Sequence, residues 1–193
     1  MSDDGQQAGD VISTDFYGLF AGAIDQLAVQ RFHNVLSIAS QNGIGTAHLL
    51  FQSSGGLVGD GISLYNLFRA SPIDIVFYNV GSICSIGVIA YLGARKRKVS
   101  KHGAFMIHRS YLNPVGANAD RITAAAEQLA MEDARTEAIL RENTNLGPAK
   151  WEQHRYADVW LSAQESVDCG LAEFGEFSPP SGTKLFNVWP PQN

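Results

Sequence analysis

Residues 75–94 read IVFYNVGSICSIGVIAYLGA, and Arg95, Lys96, Arg97 and Lys98 follow directly. This stretch carries no charged residue, so its placement decides the fold. Its length would allow a membrane-spanning helix, and the basic flank would fit the cytoplasmic end of one. The internal pattern argues otherwise. Ile75, Val76, Phe77 and Tyr78 are strand formers. Asn79, Gly81, Ser82 and Ser85 then interrupt the run with residues suited to a turn. The stretch reads as a buried strand, a turn at Gly81 and a buried helix from about Ser85 to Leu92. No membrane association is expected.

Working outward, strand and helix signals alternate. Upstream, Ile24, Leu27, Ala28, Phe32, Val35, Leu36 and Ala39 recur at helical spacing, and Asn42-Gly43 closes that helix. Ala47 to Phe51 reads as a strand ending in Ser53-Ser54-Gly55-Gly56. A short helix follows, carrying Ile62, Leu64, Tyr65, Leu67 and Phe68. Pro72 precedes the strand Ile73 to Asn79. Downstream, Arg95 to Lys98 reads as a solvated turn, and Ala104 to Ile107 as a strand ending at His108. A loop at Asn113-Pro114 and Gly116 leads into a long Ala-rich helix, roughly Ala119 to Glu142. Its Glu137–Arg141 pair has the favourable i,i+4 order. Gly147-Pro148 ends it. Helices from about Pro148 to Tyr156 and Ser162 to Asp168 follow, then a strand near Leu171. The class is α/β.

The 193 residues suit one domain. Residues 1–14 form a flexible N-terminal tail, 15–177 the domain, and 178–193 a Pro/Gly-rich C-terminal tail. The 45% apolar content is that of an ordinary globular protein, and the net charge of −5 argues against general nucleic-acid binding. Two cysteines, Cys84 and Cys169, make no disulfide framework and suit a reducing, cytoplasmic setting. The acidic N-terminus MSDDGQQAGD lacks the basic-then-apolar pattern of a secretory signal.

Several residues could carry chemistry. Ser85 stands at the start of a buried helix, near free backbone N–H groups and the positive helix end, although an N-cap serine is the commoner role for such a residue. Gly55-Gly56 ends a strand expected beside the Ser85 strand, where glycine lets backbone N–H groups approach a ligand. His108 could take the serine proton. Asp158, between Ala157 and Val159, is either a partly buried acid with a partner or a helix cap. His154 and Asp158 have i,i+4 spacing, but without nearby further ligands they argue for no metal.

Together these segments resemble the proteolytic subunit of Clp protease. F-Q-S-S-G-G-L-V-G-D-G-I-S-L-Y (51–65) is similar to that family's oxyanion segment, and G-S-I-C-S-I-G (81–87) to its nucleophile motif. F-M-I-H-R (105–109) resembles its histidine motif, and A-D-V-W-L-S-A-Q-E-S-V-D-C-G-L (157–171) its aspartate segment. The similarity runs from about Phe20 to Leu171. The order Ser, His, Asp fits the family, as do spacings of 23 and 50 residues. Ser54 stands where the family usually has proline, and Cys84 and Ile86 where it has alanine and methionine.

The resemblance implies a ClpP/crotonase-like spiral of repeated β-β-α units with a long protruding helix. It implies a serine endopeptidase acting on peptides or unfolded polypeptides, with Ser85, His108 and Asp158 as triad. The backbone N–H groups of Gly56 and Ile86 would form the oxyanion hole, and no cofactor is called for. The long helix matches the element that joins two heptameric rings, so a homo-oligomer is expected. The short acidic segment before the matching region argues against an ordered axial gate and leaves partnership with an ATPase unfoldase open. The alternatives are a crotonase-type acyl-CoA enzyme, a catalytically silent assembly subunit, and a Ser–Lys peptidase drawing on Lys96, Lys98 or Lys101.

Overall fold

The computed structural model describes residues 15–112, 115–116 and 118–188. The segment 1–14, Asn113-Pro114 of the expected loop, and the last residues of the expected C-terminal tail lie outside them.

Two sheets make the frame. The larger is wholly parallel, in the order β8-β5-β3-β2-β1-β9. It contains β1 (Asp15–Ala21), β2 (Thr46–Gln52), β3 (Asp74–Asn79), β5 (Lys96–Val99), β8 (Glu173–Phe174) and β9 (Phe186–Asn187). The smaller has the order β4-β6-β7, from β4 (Ser82–Cys84), β6 (Ala104–Ile107) and β7 (Val159–Ser162). Among the described residues six helices connect them: α1 (Gln26–Gln41), α2 (Val58–Ala70), α3 (Ile86–Leu92), α4 (Ala119–Asn143), α5 (Pro148–His154) and α6 (Ala163–Asp168).

Parallel neighbours require a crossover, and those from β1 to β2, β2 to β3 and β3 to β5 share one form. The chain runs one strand in the large sheet, one extended piece in the second layer, then one helix. β3–β4–α3 and β5–β6–α4 show this in full. In the first two turns the second-layer piece shrinks to a single bridge, Ile24 to Gly56 and Ser53 to Ile83. This is the spiral of β-β-α units expected above. Its consequence is positional: every strand-to-helix turn of the second layer falls near its neighbours, so residues far apart in sequence meet there.

The stretch 75–94 folds as β3, β4 and α3. The chain bends at Val80-Gly81 as expected, and Ser82–Cys84 beyond the bend is strand: Asn79 is buried, donates to the Ala104 carbonyl (2.8 Å) and accepts from Gly81 N–H (3.0 Å). That bends the chain from one sheet into the other. No helix among the described residues is long and apolar enough to cross a membrane.

The core between sheet and helices is an aromatic chain. Phe51 and Phe77 stand 4.6 Å apart, Phe68 lies 5.0 Å from Phe77, Phe32 lies 4.9 Å from Phe68, and Tyr91 bridges Phe77 (5.9 Å) to Phe105 (5.3 Å). Such contacts each add about 0.5–1.5 kcal/mol beyond area burial. Helix α1 presents Ala28, Phe32, Leu36 and Ala39 to this core, and Asp25 caps it by accepting from Ala28 N–H at 2.8 Å.

Some elements differ from expectation. The run Arg95 to Lys98 is not a solvated turn: Lys96 to Lys98, with Val99, form β5 between β3 and β8. Long basic side chains reach partners while their stems pack. Arg97 donates to the carbonyls of Leu171 (2.8 Å), Gly170 (3.2 Å) and Leu92 (3.3 Å), and Lys98 pairs with Glu173 at 2.7 Å. Short strands β1, β4 and β7 were hidden in irregular sequence. Within the Pro/Gly-rich segment, β9 pairs with β1 and Val188 is buried, its N–H donating to the Leu19 carbonyl at 2.9 Å. Helix α4, about 37 Å long at 1.5 Å per residue, leaves its first turns exposed and buries only Asp133 and Leu140.

Candidate active site

Ser85 sits in the turn between β4 and α3 with φ 57° and ψ −133°, and no other non-glycine residue described has a positive φ. Such a conformation costs about 1–3 kcal/mol and persists only where the surroundings impose it. Here they do: Ser85 N–H donates to the Met106 carbonyl (2.7 Å), its carbonyl accepts from Val88 N–H (3.0 Å), and the preceding Cys84 N–H donates to Ser53 (2.8 Å). The sharp turn keeps the hydroxyl off the helix end. It makes no capping hydrogen bond to α3, so the N-cap role does not apply. Instead Ser85 Oγ lies 2.7 Å from His108 Nε2.

His108 is placed by register. Cys84 pairs with Met106 across the parallel β4–β6 ladder, which sets the turn after β4 beside the end of β6. Antiparallel β6–β7 pairs Ile107 with Val159, so the next position on each strand is His108 and Asp158. Their Nδ1 and Oδ1 atoms are 3.8 Å apart. That is ion-pair range and longer than a hydrogen bond. Asp158 is more than half exposed, while His108 is mostly covered.

The glycine segment stands directly against the serine. Gly55 has φ 103°, and a Cβ there would fall 2.6 Å from Ser85 Cβ; one on Gly56 would fall 2.0 Å from the Ile24 carbonyl oxygen. Gly55 N–H is taken by Ser53 Oγ at 3.1 Å. The N–H groups of Gly56 and Ile86 donate to no protein acceptor among the described residues. Ile86 is the first residue of α3, where a free N–H is inherent to a helix start. A cavity of about 580 Å³ joins these groups, lined by Gly56, Ser85, Ile86 and His108 and walled by Tyr111 and Leu140.

Other candidates do not converge here. Cys84, next to the serine, has its thiol pushed up by burial, so it stays protonated and weakly nucleophilic near neutral pH. Lys96, Lys98 and Lys101 do not line the cavity, nor do His33, His48 or His102. His48 is stacked on Tyr17 and bonded to the Tyr78 hydroxyl at 2.9 Å. His154 ends α5, so it shares no helix with Asp158. Its imidazole is held below the usual histidine range, chiefly by burial. No group of three or more potential ligands for a metal occurs among the described residues.

Sequence reading missed Ser53, which shapes the glycine loop, and Asp133 on α4, which binds the segment after His108. The signal for Asp133 was available: it lies seven residues before Leu140 on the inward face of α4.

Comparison with known proteins follows the same lines. Residues 19–174 match the family model described as Clp protease. The chain is 28% identical over 151 residues to "ATP-dependent Clp protease proteolytic subunit 2" of Corynebacterium glutamicum, covering 77% of this chain and 75% of that protein. It is 25% identical, with the same coverage, to "ATP-dependent Clp protease proteolytic subunit 1" of Mycobacterium tuberculosis. Among solved structures, a ClpP1 mutant from Listeria monocytogenes superposes with a TM-score of 0.71 at 22% identity, over 86% of this chain and 92% of that one.

Proposed function

The chain belongs to the Clp protease family, and on that premise we propose that it is a serine endopeptidase with Ser85 as nucleophile, His108 as general base and Asp158 as the group that orients His108. The observation that carries this reading is the 2.7 Å contact between Ser85 Oγ and His108 Nε2, made by a serine in a strained turn and capping nothing.

In this mechanism Oγ attacks the scissile carbonyl carbon while Nε2 takes its proton. The carbonyl oxygen becomes an anion facing the free N–H groups of Gly56 and Ile86, and each such donor contributes about 2.7–4 kcal/mol. Collapse expels the amine, which leaves with the proton from His108, and the acyl group stays on Ser85. A water, deprotonated by His108, then releases the carboxylic acid and restores the hydroxyl. The partly apolar cavity, with Ile86, Ile89 and Leu140, suits an extended peptide better than a charged cofactor tail. A crotonase-type reaction needs no serine–histidine contact.

Assembly follows from α4. Its exposed Ile122 and Met131 and its Ala-rich turns offer a packing surface that this protomer leaves uncovered. We assign it to contacts between copies in rings, with peptides or unfolded chains as substrate and a cytoplasmic site of action. A fluorophosphonate probe with peptide mapping tests the core claim. Labelling confined to Ser85, and lost in Ser85→Ala, is expected, with kcat falling on the order of 10⁴-fold or more. Equal labelling of wild type and Ser85→Ala would sink it.

A further inference from the structure

Asp133 is the one carboxylate buried on α4, and no step of the reaction above uses it. A buried acid needs partners that justify its desolvation. Both its oxygens are engaged by the two residues that follow His108. Arg109 Nε donates to Oδ2 at 2.7 Å, and Ser110 N–H donates to Oδ1 at 2.7 Å. The Arg109 head is half exposed, so the better-shielded contact is the one to the Ser110 backbone.

The segment 108–110 therefore leaves β6 held by α4. It needs the grip. Past Ile107 the β6–β7 pairing has ended, and the Asp158 contact at 3.8 Å is too long to hold the imidazole by itself. We infer that Asp133 is a positioning residue for His108: by binding Arg109 and Ser110 it sets the backbone from which the imidazole reaches Ser85. This rests on the triad reading given above. It also ties α4, the candidate assembly helix, to the reacting histidine by a single side chain.

The test uses the full chain, with probe labelling rate, peptide kcat and KM, and thermal melting measured together. Asp133→Ala is expected to slow labelling and lower kcat about tenfold to a hundredfold, the usual cost of a misplaced catalytic group. KM should stay within about twofold, because the cavity floor is untouched. Asp133→Asn keeps an oxygen for Ser110 N–H and should lose only about twofold to fivefold in kcat, one neutral hydrogen bond. Leu36→Ala, in the core away from the cavity, is the control for lost stability. Three outcomes overturn the inference: a folded Asp133→Ala with unchanged rates, a loss seen only in KM, or an equal loss in Leu36→Ala at matched melting temperature. If Asp133→Ala does not fold, Asp133→Asn decides: a kcat loss well beyond fivefold, or none, counts against the backbone anchor. Absence of labelling in wild type would instead reject the Ser85 assignment, and the inference with it.

Discussion

His108 and Asp158 occupy the position immediately beyond the Ile107–Val159 pair of the β6–β7 ladder, with Nδ1 and Oδ1 3.8 Å apart. Strand register alone brings them together across 50 residues of sequence. The contact is long and Asp158 is more than half exposed, so the pair is weaker than the Ser85–His108 contact at 2.7 Å.

A graded response to mutation follows. Asp158→Asn should lower kcat about a hundredfold less than Ser85→Ala does, since the aspartate acts only through the histidine and its field is screened. Side-by-side kcat measurements with one peptide check this. Equal losses would mean that the two side chains close to hydrogen-bond distance in the working enzyme.

Gly55→Ala should abolish probe labelling while leaving most of the fold intact. The added Cβ would sit 2.6 Å from Ser85 Cβ, at a φ of 103° that other residues avoid. Strain and overpacking together cost roughly 2–5 kcal/mol. Labelling and circular dichroism on the same sample are the measurement, and retained labelling would show that the glycine loop can move off the serine.

Glu165 offers a pH test remote from the site. It closes a capping box with Ser162 at the start of α6, and those hydrogen bonds, with Lys150, hold its carboxyl down at about 2. A folded-state value below the unfolded one stabilises above the unfolded pKa, and the gain is lost as pH falls toward the folded value. Because the side chain is half exposed, the contribution is that of a cap, about 0.5–1 kcal/mol. Glu165→Gln should be less stable than wild type at pH 7, and the gap should close between pH 4.5 and about 2. A gap that persists unchanged at low pH would remove the charge from the explanation.

Assembly is testable by mass. α4 buries only two of its side chains in the protomer, so packing between copies is expected to supply the rest. Mass measurement in solution should show a ring-sized oligomer, and Met131→Glu, at an exposed position on α4, should shift it toward smaller species. A wild-type monomer at micromolar concentration would rule the ring out.

Much of this was legible in sequence because it is local. Helix α1 follows from periodicity and α4 from its Ala-rich run, and the structure shows Asp25 and Asn118 capping their starts by accepting from Ala28 and Arg121 N–H. The uncharged run 75–94 announced burial, and its turn residues excluded a single long helix. Ser85, His108 and Asp158 stood out only as members of ordered motifs; taken singly, each had a commoner structural role. The basic run at Arg95 misled because charge speaks to solvent, whereas β5 exists through backbone pairing with β3 and carbonyls that Arg97 finds 73 and 74 residues away.

Sequence by itself determined which segments must be buried and which residue types could react. Tertiary structure alone decided whether they meet. The contact of Ser85 with His108 depends on β4 and β6 lying parallel in register, and the distance to Asp158 on where the β6–β7 ladder ends. The grip of Asp133 on Arg109 and Ser110 depends on how α4 returns across the second layer. These are consequences of non-local hydrogen bonding and packing, which no window of the chain encodes, because both partners must be folded before either has a neighbour.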